Sequence, residues 1–326
     1  MNLKCRDLFF SVLVPTLAGL LSSAGHAQSY PNRAVSLIVP FAPAGPIDII
    51  GRLVADQLSQ KWGAPVVVSN YAGAGGNIGT RRCAESAPDG YTICIQSVAQ
   101  TIAPAFYADP GYDPVKDFAH VARVATLPSV LVVHPSLPVH NVKELIALAK
   151  SKPGVLNYAS GGKGTSTYML TEWFKHEAGI NLVQIPYKGS GPALMDQISG
   201  RIAVAFYTVI AVLPYIKEGK LSAIAVSTKN RLDLLPDVPT IDESGVKGFD
   251  GGSWAGVVMP AGVPRDIVSK VNADLAEILE SPTMKQKIRE LGGLTAYEAP
   301  DRFTAFVAKE VARWARVAKE ADAHGK

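Results

Sequence analysis

Short runs rich in branched and aromatic residues alternate with stretches whose apolar residues recur every three or four positions. The first block reads as a strand in "AVSLIVPF", a helix from about Asp48 to Trp62, a strand in "PVVVSN", a helix after the glycines at 73 to 79, and a strand in "YTICIQS". This alternation predicts a largely parallel sheet covered by helices. The long apolar segment "HVARVATLPSVLVVHP" then reads as a strand passing from one lobe to another. The second block repeats the grammar: "LNYASGG", a helix from about Thr165 to Ala178, "LVQIPY", a helix from about Pro192 to Ser199, "IAVAFY" and "LSAIAVS". "GGSWAGVVMPAG" is expected to return, and three helices close the chain. In the last helix Phe303, Phe306, Val307, Val311, Trp314 and Val317 fall on one face, which we read as packing. The expected architecture is an α/β clamshell with two crossing strands, residues 28–128 and 249–326 forming one lobe and 129–248 the other.

The N-terminus adds a destination. Lys4 and Arg6 precede an apolar run of 14 residues, Leu8 to Leu21, and the small residues Gly25 and Ala27 flank His26. This is the pattern of an export signal over residues 1–27, cleaved after Ala27; the run falls short of the roughly 20 residues of a membrane span. The expected destination is outside the cytoplasm, in an oxidising compartment. Removing Lys4, Arg6 and Asp7 takes 32 basic and 28 acidic residues to 30 and 27, too weak a balance for nucleic acid, and no basic run is interleaved with aromatics. Cys83 and Cys94 stay in the mature chain, either as one disulfide or as two small buried hydrophobes. No His, Cys or acidic spacing suggests a metal site, and no cofactor is implied.

The candidate chemistry lies in loops. "PFAPAGPIDII" puts a turn directly between a strand and a helix, so amides at the helix start lack intrahelical partners and, with the helix dipole, favour a carboxylate or other anion. Small residues at Ala42, Ala44 and Gly45 admit a ligand to the backbone, and Asp48 suits a helix start, accepting backbone N–H groups or holding an ordered water. One such loop would be an ordinary turn. The pattern recurs in "NYAGAGGNIG" (70–79), "ASGGKGTST" (159–167) and "YKGSGPA" (187–193), two loops from each lobe, at the strand ends where α/β folds hold ligands. Rival motifs fail: Lys163 is followed by Gly164 and lacks the upstream glycine of a phosphate loop, Ile78 stands where a dinucleotide fingerprint needs glycine, and "KGSGP" has the wrong spacing for a serine-hydrolase elbow.

With these loops in place the chain resembles the extracytoplasmic solute receptors of the tripartite tricarboxylate transporter family, the Bug proteins. The likeness covers the mature chain, through "YPNRAVSLIVPFAPAGPIDIIGRLVADQLSQKWGAPVVVSNYAGAGGNIGT", "SAPDGYTI", "YDPVKDFAHVARV", "LNYASGGKGTSTYM", "PYKGSGPAL", "LPDVPTIDESG" and "MPAGVPRDIVSKVN". The resemblance implies a two-lobe, type II-like periplasmic binding protein that closes on a small carboxylate and delivers it to membrane permease subunits. It implies that Ala44, Gly45, Asp48, Gly73, Ala74, Gly75 and Asn77 serve one lobe's side of the cleft. Ser160, Gly161, Thr165, Ser166, Lys188, Gly189 and Ser190 serve the other.

Two departures bear on the ligand. The family's P-x-G-G-x-x-D appears here as Pro43, Ala44, Gly45 and Pro46 ahead of Asp48, so an alanine replaces one glycine and a proline removes one donor. Where the family often has Phe-Asp-Asn, this chain has Phe206, Tyr207 and Thr208. Losing that acidic acceptor disfavours an amino acid and favours an aromatic or aliphatic carboxylate. Tyr207 either offers its ring to the cleft or packs beneath it. Lys188 either neutralises a ligand carboxylate or stands on the rim, and Trp254 is read as hinge packing. Three outputs fit: capture for transport, sensing through a membrane kinase, and an enzyme acting on the same ligand, for which no nucleophile–base pair stands out.

Overall fold

The computed structural model describes residues 30–323 apart from Lys188. The expected leader, its cleavage after Ala27, and Lys188 lie outside the described residues.

In chain order the first elements are β1 (Val35–Val39), α1 (Pro46–Trp62), β2 (Val66–Asn70), a 3-10 turn (Ala74–Gly76), α2 (Asn77–Ala84), β3 (Thr92–Ser97) and the short α3 (Val98–Ile102). Pro46 at the first position and Asp48 in the first turn start α1; Gly63, left-handed at φ 64°, ends it. The chain then runs through β4 (Phe118–Val133), α4 (Val142–Ser151), β5 (Asn157–Ser160), α5 (Ser166–Ala178), β6 (Val183–Pro186), α6 (Ser190–Ile198), β7 (Val204–Thr208), α7 (Val209–Lys217) and β8 (Ser222–Val226). It closes with β9 (Gly252–Pro260), α8 (Arg265–Glu280), α9 (Pro282–Glu290), β10 (Leu294–Glu298) and α10 (Pro300–Ala323).

The strands lie in the order β2-β1-β3-β9-β4-β7-β5-β6, with β8 and β10 also paired to β4. β1, β2 and β3 run parallel, as do β5, β6 and β7, so each group sends its carboxyl ends one way. The 16-residue β4 links the two groups. Up to Pro128 it pairs with β9 and β10, and from Ser129 with β7 and β8. The chain comes back at Gly251, whose amide donates to the Ser227 carbonyl, and β9 begins opposite Pro128. The molecule is thus an α/β protein of two lobes, with β4 as the continuous connection.

One apolar cluster lies under α2 and α10 and reaches the second lobe, joining Val98, Ile102, Phe303 and Trp314 to Met169, Leu170 and Phe174 of α5. A Cβ at Gly256 would lie 2.2 Å from the Phe303 ring, so the absence of a side chain there sets how closely α10 approaches β9. Phe303, Val307 and Trp314 are fully buried, each burial being worth roughly 2 kcal/mol. The same helix buries Glu310, which accepts from the Trp314 indole at 3.0 Å. A second cluster packs α1 and α8 on the opposite face, and a third lies under α6 and α7.

Candidate functional site

The first loop leaves β1 and enters α1 around a buried carboxylate. Asp48 is 1 % exposed. Its Oδ2 accepts the Ala44 amide at 2.8 Å and the Arg52 Nε at 2.9 Å, and its Oδ1 accepts the Asn70 side-chain amide at 2.8 Å. Asn70 also donates to the Phe41 carbonyl at 2.9 Å and accepts from Arg52 at 3.1 Å. Burial by itself would raise the Asp48 carboxyl; the hydrogen bonds from Arg52, Asn70 and Ala44, with the Arg52 charge, outweigh it and hold the group below its ordinary value. Asp48 therefore ties the first loop to the end of β2. Ala44, at φ 62°, occupies the left-handed region that a glycine would enter without strain. Arg52 and Asn70 escaped the sequence reading, although Asp48 and Arg52 stand four apart, a spacing that joins side chains on a helix.

The glycine loop leaves β2. Gly73, Gly75 and Gly76 have positive φ, and Ala74 does so at 47°. Asn77, opening α2, is buried, and its side-chain carbonyl accepts the Tyr112 hydroxyl at 2.8 Å. α2 is fastened to β3 by a disulfide between Cys83 and Cys94, which settles the alternative left open by the sequence. The end of β3 is a further strand terminus at the same edge: Gln96 accepts from the Thr80 hydroxyl of α2 at 3.2 Å, and Ser97 caps α3.

In the other lobe, the loop after β5 is organised by hydroxyls. Ser160, 1 % exposed, accepts the Gly162 amide and the Gln184 side chain, at 3.3 and 2.8 Å. Thr167 accepts the Gly161 amide at 2.9 Å, and Thr165 donates to the Gly162 carbonyl at 2.6 Å while capping α5. Ser166 opens α5, and Ser190, after Gly189 at φ 114°, opens α6. The amides of Ala44, Gly161 and Gly162 are thus held by side chains of their own loops. At the starts of α1, α5 and α6 the first amides have no partner within their own helices.

The loops come together. The Phe41 ring packs on Gly76, a Cβ at Gly75 would lie 3.3 Å from the Lys163 carbonyl oxygen, and the Tyr187 amide donates to the Ser160 carbonyl at 2.9 Å. The Tyr107 hydroxyl donates to that Lys163 carbonyl at 3.3 Å, and Phe106 meets Tyr168 edge-on at 5.5 Å. All four loops are therefore linked, two from each lobe, with the lobes in contact at Gly75 and Lys163. Tyr207 lies in β7, 1 % exposed, within the cluster that holds Val130, Ala159 and Leu194; its ring packs beneath the loops. Its hydroxyl has no hydrogen-bond partner among the described residues, and burial raises it. Trp254 packs edge-on against Phe303 and Phe306, as expected of hinge packing. Among the described residues no group of His, Cys, Asp and Glu could hold a metal, and no helix is long and apolar enough to cross a membrane.

The fold is a two-lobe α/β one whose lobes touch at Gly75, Tyr107 and Lys163. The profile of the tripartite tricarboxylate transporter family receptor matches residues 50–322, and the chain belongs to that family. It is 37 % identical to the protein BugT of Bordetella pertussis over 299 residues, 91 % of this chain and 92 % of BugT. Among solved structures it resembles Rpa4515 of R. palustris with adipate (TM-score 0.87, 36 % identity, covering 90 % of this chain and 98 % of that one). It also resembles MatC of Rhodopseudomonas palustris with bound malate (TM-score 0.83, 31 % identity, 89 % and 100 % covered). The protein is a solute-binding receptor with the periplasmic binding protein fold.

Proposed function

We propose that this receptor works in the periplasm, exported by a leader that ends at Ala27. It binds one small carboxylate between its lobes and presents the closed complex to the membrane permease of a tripartite tricarboxylate transporter. The observation that supports this reading is the run of contacts through four loops, which includes Gly75 against Lys163 and links loops that each open a helix. Those starts favour a negative charge, and the adipate and malate carried by two structural neighbours are of that chemistry. The residues proposed to surround the ligand are Ala44, Gly45, Gly73, Ala74, Gly75, Ser160, Gly161, Thr165, Ser166, Gly189 and Ser190. Asp48, Asn77 and Tyr207 hold these loops from beneath. Binding shifts the population towards the closed form because both lobes touch the ligand only there. Catalysis is no part of this role.

A thermal-shift screen over adipate, malate, citrate, benzoate and aspartate, followed by calorimetry on any hit, tests it. A ligand that binds only the folded state raises the melting temperature. The expected result is 1:1 binding of at least one of the carboxylates lacking an ammonium group, with the acid recovered unchanged. Turnover of the acid, or binding of aspartate alone, overturns the reading.

A further inference from the structure

The end of β3 carries a polar group that nothing so far uses. Gln100, in α3, is 2 % exposed, and among the described residues neither its Nε2 nor its Oε1 finds a hydrogen-bond partner. Four residues earlier at the same strand end Gln96, 1 % exposed, leaves its Nε2 unmatched while its Oε1 accepts from Thr80. Buried side-chain amides are ordinarily satisfied, and one left wholly unmatched points to a partner that is not part of the chain. The placement agrees. Val98 and Ile102 form one stripe in the apolar cluster with Phe303 and Trp314, and Gln100 lies about 200° round the helix from Val98. α3 packs against both the Ala74–Gly76 turn of one lobe and α5 of the other, at the junction described above.

We infer that Gln100 reads a hydroxyl group on the bound acid, with Gln96 as a second donor. This rests on the carboxylate reading above. An amide presents both donors and an acceptor. A carboxylate oxygen accepts from Nε2 but sets its lone pairs against Oε1, whereas a hydroxyl accepts from the one and donates to the other. The helix starts hold the acid's carboxylate, and the amide selects acids that carry a hydroxyl.

Calorimetry with two matched pairs, malate against succinate and citrate against tricarballylate, tests this on the wild type and on Gln100→Met. In at least one pair the wild type should prefer the hydroxy acid about tenfold or more, because the matched acid leaves the amide unpaired. Gln100→Met should abolish the preference by weakening the hydroxy acid alone, and its ligand-free melting temperature should be equal or higher, since an unmatched buried amide is gone. Gln100→Leu, which removes donor and acceptor alike, should lose the preference too and serves if the methionine variant does not fold. A preference that persists in either folded variant, or four acids bound alike by the wild type, overturns the Gln100 assignment and leaves the carboxylate reading standing. Failure of all four acids to bind the wild type overturns the Gln100 assignment, and the carboxylate reading falls with it only if adipate and benzoate fail to bind as well.

Discussion

At the scale of single residues, two buried titratable groups contribute to how the protein responds to acid. His120 is 3 % exposed, packs edge-on against Phe303 and meets the Thr304 hydroxyl at 3.3 Å. Burial lowers it from 6.5 to about 4. Its folded-state value is depressed, so the stability it supports is complete above pH 6.5 and is lost as the pH falls towards 4. Asp48 is also depressed, from 3.8, so its contribution is complete above that value and is lost at still lower pH. Urea unfolding should show stability falling between pH 6.5 and about 4, and His120→Leu should reduce that loss. Asp48→Asn, whose new NH2 group must face a donor, should cost about 2 kcal/mol at pH 7 and weaken ligand binding, with the stability difference shrinking below pH 3.8. A variant equally stable at pH 7 would show that the Asp48 network does not tie the loops. Asp48 was legible as a helix-start residue; its partner Asn70 was not, because 22 positions separate them and only the pairing of β1 with β2 brings them together.

At the scale of elements, the alternation of strand and helix patterns was readable because burial on one face imposes a period of two or 3.6 on the chain. The last helix shows this best, with its predicted stripe centred on the buried Phe303, Val307 and Trp314. β10 was missed: Leu294–Glu298 is half exposed and paired irregularly to β4, so its side chains carry little alternation. The disulfide belongs to this scale as well. It anchors α2, the helix that begins at Asn77, to β3, whose end carries Gln96. Closing so short a loop stabilises the fold by about 3 kcal/mol. The Cys83→Ala, Cys94→Ala double variant should lose roughly that much in urea unfolding, and its ligand affinity should fall at a temperature where it is still folded. Unchanged affinity would mean that the glycine loop is held without the bridge.

At the scale of the whole molecule, the lobes meet where Gly75 has no side chain. A Cβ there would press on the Lys163 carbonyl and the Tyr107 hydroxyl, each at 3.3 Å, and the backbone stands at φ 68°. Gly75→Ala should hold the lobes apart, lowering ligand affinity about tenfold or more while costing the fold about 1 kcal/mol. Small-angle scattering with and without ligand would check this, a normal compaction of the variant counting against closure through this contact. By itself the sequence determined the α/β alternation, the helix starts after strands and the small residues that open them, because these are local consequences of backbone sterics and of the period of burial. Only the tertiary structure decided which amides stay available, that Tyr207 packs while Gln100 lacks a partner, and that Cys83 joins Cys94. Hydrogen-bond satisfaction depends on groups brought near by strand pairing, and no local pattern along the chain records that proximity.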